Sequence, residues 1–329
     1  MGKSSDFAGN KKVGNYKNSE EAIPDDSHVN TPFEGTEVRE DGTAGIVTDE
    51  EEYTGAIRYF DKKLPIKQGR YRLLWHPVCP WASRTKIVLD LLGIGEEVIS
   101  TAIYDPESEI YAQIEGKLPK LIDTETGEIV QEDYHRLPHY FETVWKSKGA
   151  NKIPDLYPVK YRSQIDRLNR ILFNDLENGA YAAGEAKTQA EYERSYYVFF
   201  NRLNYLERYL GKNRFLFGDT ITDSDIRLYA VLARLDAAYY FKFRLNGLRL
   251  REYDNLWNYA KELYSIPAFR NVTDFEAIKK GYFLGSGAVN PAKIIPDGPD
   301  EKVWNEPHNR TEKFGPFKTD YGQAEWEDK

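Results

Sequence analysis

The chain has 329 residues, 30% of them charged and 40% apolar, and 53 acidic against 45 basic side chains leave it a formal charge of −8. That balance argues against a general nucleic-acid binder, whose affinity needs a basic face. No apolar run reaches the roughly 18–20 residues that cross a bilayer, and the opening Met-Gly-Lys-Ser-Ser-Asp has no apolar signal core, so a soluble, cytoplasmic protein of two domains is expected, with no membrane partner.

Residues 1–57 are rich in Gly, Ser, Asn, Thr and acids with no apolar period, and read as an extended arm outside the core. From Tyr71 the pattern changes. Tyr71–Trp75 is a short strand, a helix follows Pro80 and stops at Gly93, and Glu97–Ile103 alternates as a second strand. Lys120–Asp123 and Glu128–Val130 read as a hairpin, with Gly127 supplying a positive φ in the turn. A helix over Asp133–Lys148 closes this region, with Pro138 expected to kink or delay it.

The order strand, helix, strand, hairpin, helix is that of a thioredoxin-like domain, placed here at residues 58–150. Ala150–Pro158 makes a linker, and beyond it strand signals vanish. Amphipathic stretches at Val159–Leu176, Thr188–Leu210, Thr222–Ala238 and Tyr253–Ser265 predict an all-helical domain over residues 158–289. Thr222-Asp223-Ser224-Asp225 is a capping-box start, a folding signal and not a site. In the tail, 290–329, the prolines at 291, 296, 299, 307 and 316 predict an extended strap without a helix.

One cysteine excludes an internal disulfide, a Cys-rich zinc site and an iron–sulfur cluster. A lone Cys is more often inert packing than a working thiol, because free Cys is among the most buried residue types. The neighbourhood of Cys79 reverses that balance. Cys79-Pro80-Trp81-Ala82 lies between a strand and a helix, where unpaired N–H groups and the macrodipole favour the thiolate. Pro80 costs nothing in the first helical turn. Because Ala82 stands where a Cys-x-x-Cys motif has its second cysteine, the site is monothiol, and an external thiol must resolve any mixed disulfide it forms. His135 and His139 lie four apart but have no third ligand nearby, so they read as surface histidines and no metal is expected.

Cys79-Pro80-Trp81-Ala82-Ser83-Arg84-Thr85 resembles the Cys-Pro-Trp-Ala-His-Arg-Thr signature of the glutathionyl-hydroquinone reductases, the Xi class of glutathione transferases. Tyr157-Pro158, Ile165–Asn169, Asn178–Gly184, Leu216-Phe217-Gly218 and Thr222–Leu228 follow in that family's order, and Tyr282-Phe283 to Val289–Pro296 is similar to its C-terminal segment. The resemblance implies a thioredoxin-like domain followed by a helical one, a homodimer, and glutathione or another low-molecular-weight thiol as co-substrate. It implies Cys79 as the catalytic thiol and Leu118-Pro119 as a cis-proline element whose backbone meets the thiol ligand. Glu132-Asp133 would meet its γ-glutamyl end, while Trp81, Tyr181 and Tyr282 would line a pocket for an aromatic thiol conjugate.

Departures accompany it. The family's Glu-Ser pair reads Glu132-Asp133, its His after the motif Ala is Ser83, a C-terminal His is Ser286, and the short segment between Ile103 and Pro119 carries no Trp. Two adjacent acids oppose a carboxylate, so weaker glutathione binding than in typical members is expected. The leading reading is a reductase of glutathionyl-hydroquinones. An omega-like deglutathionylase or dehydroascorbate reductase keeps Cys79 with another substrate, and a non-catalytic binding module is the third reading.

Overall fold

The computed structural model describes residue 64 and residues 67–103, 118–146, 149, 154–284 and 290–321. The expected N-terminal arm and the segment before Leu118 that lacks the family's Trp therefore lie outside the described residues, as does Ser286.

Strands β1 (Tyr71–Trp75), β2 (Ile99–Ile103), β3 (Lys120–Asp123) and β4 (Ile129–Gln131) form one sheet in the order β2-β1-β3-β4. β1 and β2 are parallel, joined through helix α1 (Pro80–Leu91), whereas β1 with β3 and β3 with β4 are antiparallel. β1 is an internal strand of the sheet, and its Tyr71, Leu73 and Leu74 are fully buried, so it is covered on both faces. The β3–β4 turn is the expected hairpin, with Gly127 at φ +76°, where a side chain would be strained. The β4 strand runs one residue later than expected, and β2 begins at Ile99 rather than Glu97.

After β4 the expected single helix is delayed and divided. Helix α2 (Arg136–Tyr140) continues into a wider π-helical turn, Phe141–Trp145. Pro138 sits in the first turn of α2, where its missing N–H costs little, so the helix starts late instead of kinking. His135 and His139 are both buried, which corrects their reading as surface residues. His139 is spent on a neighbour, its Nδ1 lying 2.9 Å from Glu142 Oε2.

From residue 158 on, the described residues fold as helices. Helix α3 (Arg162–Leu172) passes through a π-helical turn at Phe173–Glu177 into α4 (Asn178–Glu185), so the helix expected to end at Leu176 starts later, widens there and runs on to Glu185. Helix α5 (Gln189–Leu210) starts at a capping box, the Thr188 hydroxyl accepting from Glu191 N. Helix α6 (Asp223–Arg234) starts at the expected box, Thr222 N donating to Asp225 Oδ2 at 2.8 Å, and widens into a π turn at Leu235–Tyr239. Helices α7 (Tyr240–Lys242), α8 (Asp254–Tyr264), α9 (Pro267–Arg270) and α10 (Phe275–Leu284) complete this half.

The tail departs from expectation. It carries a 3-10 turn, Glu301–Asn305, and a short helix α11, Arg310–Phe314, both fitted between prolines rather than across them. Trp304 enters an aromatic nest of Tyr229, Trp257, Tyr264 and Phe275. Arg310 is fully buried and donates to the carbonyls of Leu210, Asn213 and Arg214. Arg214 in turn donates to the carbonyls of Gly315 and Pro316. The tail, expected as an extended surface strap without a helix, includes a short helix among its described residues and sends side chains into the core.

Candidate functional site: a thiol at a helix start facing a tyrosine cluster

Pro80 at the first turn of α1 leaves Cys79 as the N-cap residue, with extended backbone at φ −82° and ψ 114°. Its thiol donates to the carbonyl of Leu118 at 3.4 Å, and the Leu118–Pro119 bond is cis. The loop from β1 and the start of β3 therefore meet at the sulfur. The thiol does not ionise as readily as a helix start alone implies. Burial pushes Cys79 up, and this outweighs the opposing backbone N–H groups of Ala82 and Trp81 and the charges of Arg234 and Arg84.

Trp81, in the first turn of α1, stacks on Tyr181 of α4, with ring centroids 5.6 Å apart, and packs on Tyr134 at 5.0 Å. Its indole N–H is buried without a hydrogen-bond partner among the described residues. Tyr181 and Tyr282, placed far apart in sequence on α4 and α10, share a hydroxyl–hydroxyl hydrogen bond of 2.6 Å. The Tyr282 hydroxyl donates onward to that of Tyr239, at 3.4 Å. Burial raises all three phenols above the ordinary tyrosine value, so they remain hydrogen-bond donors at neutral pH. Tyr181 lies close enough to the sulfur for a Cys79 charge to raise it further.

Glu132 and Asp133 sit just after β4, on the far side of β3 from β1. Lys120, which follows the cis proline and is itself buried, donates to Glu132 Oε2 at 2.5 Å. Asp133 Oδ1 accepts from the backbone of His135 and Arg136, and its other oxygen lies 3.2 Å from Arg136 Nε. Asp133 thus does what a helix-capping Ser does, with an added charge. The fold brings Cys79, Leu118, Pro119, Trp81, Tyr181 and Tyr282 together, while Glu132 and Asp133 begin the element next to them.

Two residues that sequence reasoning passed over belong to this constellation. Tyr239 is fully buried behind Tyr282; among 24 tyrosines its type carried no signal. Arg234, at the end of α6, reaches across to the thiol loop, and no spacing in the chain ties it to Cys79. Gly281 has a role that its helical position hides. A Cβ there would lie 1.8 Å from Val78 Cγ2, so only glycine lets α10 approach the thiol loop this closely. Deeper between α1, α2, α3 and α6, a buried network links Arg84, Glu177, Arg227 and Asp223 and runs on to His139 and Glu142. Burial holds His139 down to about 4 and His135 down to about 2, so both are neutral. Among the described residues no group of three or more His, Cys, Asp or Glu could hold a metal ion, and no helix is long and apolar enough to cross a membrane.

Residues 189–262 match the family described as the glutathione S-transferase C-terminal domain. The chain is 30% identical over 281 residues to the glutathionyl-hydroquinone reductase YqjG of Escherichia coli, covering 76% of this chain and 85% of that protein. It belongs to the glutathionyl-hydroquinone reductase family, the Xi class of glutathione transferases. The glutathione-bound structure of YqjG superposes with a TM-score of 0.70, 30% identity, and coverage of 76% of this chain and 90% of that one. The Xi glutathione S-transferase of Phanerochaete chrysosporium does so at 0.69, again with 30% identity, over 75% and 95% of the two chains. Family membership accounts for the order of elements described above: a small mixed sheet, then a transferase-type helical half.

Proposed function

We propose that this chain reduces glutathionyl-hydroquinones with Cys79 as the nucleophile and glutathione as the thiol co-substrate. The observation that carries the reading is the lone thiol at the start of α1, against the cis-proline carbonyl, facing the hydrogen-bonded Tyr181–Tyr282 pair. In its thiolate form Cys79 attacks the sulfur of the conjugate. The sulfur–ring bond breaks, the ring carbon takes a proton, and hydroquinone leaves while Cys79 and glutathione form a mixed disulfide. A second glutathione attacks that disulfide, releases glutathione disulfide and returns the Cys79 thiol.

The protein's contribution is placement. Tyr181 and Tyr282 donate hydrogen bonds toward the hydroxyls of the ring and stand as the nearest proton source, Trp81 offers an aromatic face, and the backbone at Leu118-Pro119 meets the thiol ligand. Glu132 and Asp133 receive the γ-glutamyl end. The relative's bound glutathione supports glutathione as the thiol. A homodimer in the cytoplasm completes the reading; light scattering that returns the 38.1 kDa of one chain would count against the dimer.

The test is release of free hydroquinone from a glutathionyl-hydroquinone, followed by chromatography, in wild type and Cys79→Ala. Loss of turnover in the variant, with a glutathione adduct on Cys79 trapped by mass spectrometry in the wild type, is expected. Full activity in Cys79→Ala removes the mechanism.

A further inference from the structure

Arg234 ends α6, in the helical half, yet three of its four hydrogen-bond partners belong to the loop and first turn that carry the thiol. Its Nη2 donates to the Pro77 carbonyl at 2.5 Å and to Ser83 Oγ at 3.0 Å, and its Nε to the Val78 carbonyl at 3.3 Å. Its Nη1 donates to Ala230 O at 2.8 Å, which fixes the guanidinium to its own helix. The side chain is buried, 2% exposed. Pro77 and Val78 immediately precede Cys79, so the two carbonyls held by Arg234 set the path of the backbone into the thiol. Buried carbonyls of this kind need a donor, and a guanidinium fork supplies several at once.

The charge matters as much as the fork. The groups bearing on Cys79 are Arg84 on its own helix, Arg234 from α6, Tyr181 from α4 and the N–H groups of Trp81 and Ala82. Around Arg234 itself stand the hydroxyls of Tyr181, Tyr239 and Tyr282, each of which its charge pulls down against burial. Arg84 is engaged with Glu177 and the carbonyl of Tyr134, which leaves Arg234, bonded to neutral acceptors in all four of these contacts, as the stronger source of positive field.

We propose that Arg234 is the positioning residue of the thiol: it clamps the Pro77–Val78 segment to the helical half and supplies the fixed charge that lets a buried Cys79 ionise. This rests on the reading of Cys79 as the reacting group, and it deepens that reading by giving the helical half a direct hand in thiol activation.

Because the chain has one cysteine, alkylation by iodoacetamide across pH reports Cys79 alone. Arg234→Gln keeps a donor for the Pro77 carbonyl and loses the charge; Arg234→Lys keeps the charge and loses the fork. The Gln variant is expected to move the alkylation midpoint up by about one pH unit or more, which slows alkylation near neutral pH about tenfold. The Lys variant should stay within about threefold of wild type at neutral pH. A clamp without electrostatic consequence would lower the melting temperature of both variants and leave both titrations where they were. That result, or equal shifts in the two variants, overturns the proposal. Should the Gln chain fail to fold, wild type alone decides it. The Arg234 Nε resonance, followed by NMR, is expected to shift with the same midpoint as alkylation, and a resonance indifferent to Cys79 ionisation overturns the idea. None of these readouts needs turnover. A wild type that leaves glutathionyl-hydroquinones untouched would sink the proposed activity while leaving the Arg234 result to stand or fall separately.

Discussion

Gly281→Ala adds one methyl group where α10 crosses the thiol loop. In a helix interior that exchange is normally favourable by about 1 kcal/mol, because alanine loses less backbone freedom than glycine. Here the new Cβ would stand 1.8 Å from Val78 Cγ2 and 2.9 Å from Val78 Cβ. Ordinary contact begins near 3.4 Å, so helix and loop must part by about 1.5 Å. Val78 cannot swing clear at small cost, because a β-branched side chain is stiff at χ1. Overpacking of this kind costs about 1–3 kcal/mol, so the expected sign is destabilising and the melting temperature should fall by roughly 2–5 °C for a chain of this size. The same displacement moves Tyr282, the next residue, relative to Cys79, and a misplacement of about 1 Å can lower kcat/KM by up to about a hundredfold. Differential scanning calorimetry on the two single variants and on Gly281→Ala/Val78→Ala closes a double-mutant cycle. Trimming Val78 should recover about 1 kcal/mol or more of the penalty. A Gly281→Ala protein that melts at or above the wild type, or a penalty unchanged by Val78→Ala, would refute the steric argument.

Asp133→Ser leaves a side-chain oxygen to accept from His135 N and Arg136 N and removes one negative charge from the proposed γ-glutamyl site, so calorimetric titration should show glutathione binding severalfold tighter; unchanged or weaker binding would show that the extra charge is no obstacle. His308 accepts from Arg310 N and is held down to about 4, by burial first and then by Lys261, Arg214 and Arg310. The unfolded chain takes up a proton near pH 6.5 that the folded one refuses until about 4, so this group's contribution is whole above pH 6.5 and is lost as pH falls through that window. Full burial would make the loss about 3 kcal/mol, and because His308 is partly exposed and screened by solvent it is about half that. Urea denaturation should show His308→Asn, which retains an acceptor for Arg310, losing less stability than wild type between the two pH values, and parallel losses would remove His308 from the account.

The thiol half was legible because each of its signals is local: a strand ending at Trp75, a proline in the first helical turn, and a Gly-bearing turn between two short strands. Tyr181 and Tyr282 were legible only through family resemblance, since 101 positions separate two hydroxyls that meet at 2.6 Å. Arg234 and Tyr239 carry no such signal, because what matters about them is where α6 and its π turn aim a side chain across the fold. The histidines were misread for a related reason. Spacing of four on a short helix says which residues share a face, but whether that face meets water depends on α1, α3 and α6 packing over it. The tail prolines showed where no long helix can run, and the short turns between them cost no proline a needed hydrogen bond.

The strap also fixes when this protein can become itself. Synthesis proceeds from the N-terminus, and Trp304 and Arg310 leave the ribosome only after every helix they pack on. Until they arrive, the nest of Tyr229, Trp257, Tyr264 and Phe275 is an open apolar hole, and the carbonyls ending α5 lack the guanidinium that satisfies them. A chain cut short before residue 300 carries every residue of the thiol site and still cannot close its helical core. The helical half is thereby finished by residues that follow it in the chain, so its core closes after its helices are made and not as each is added.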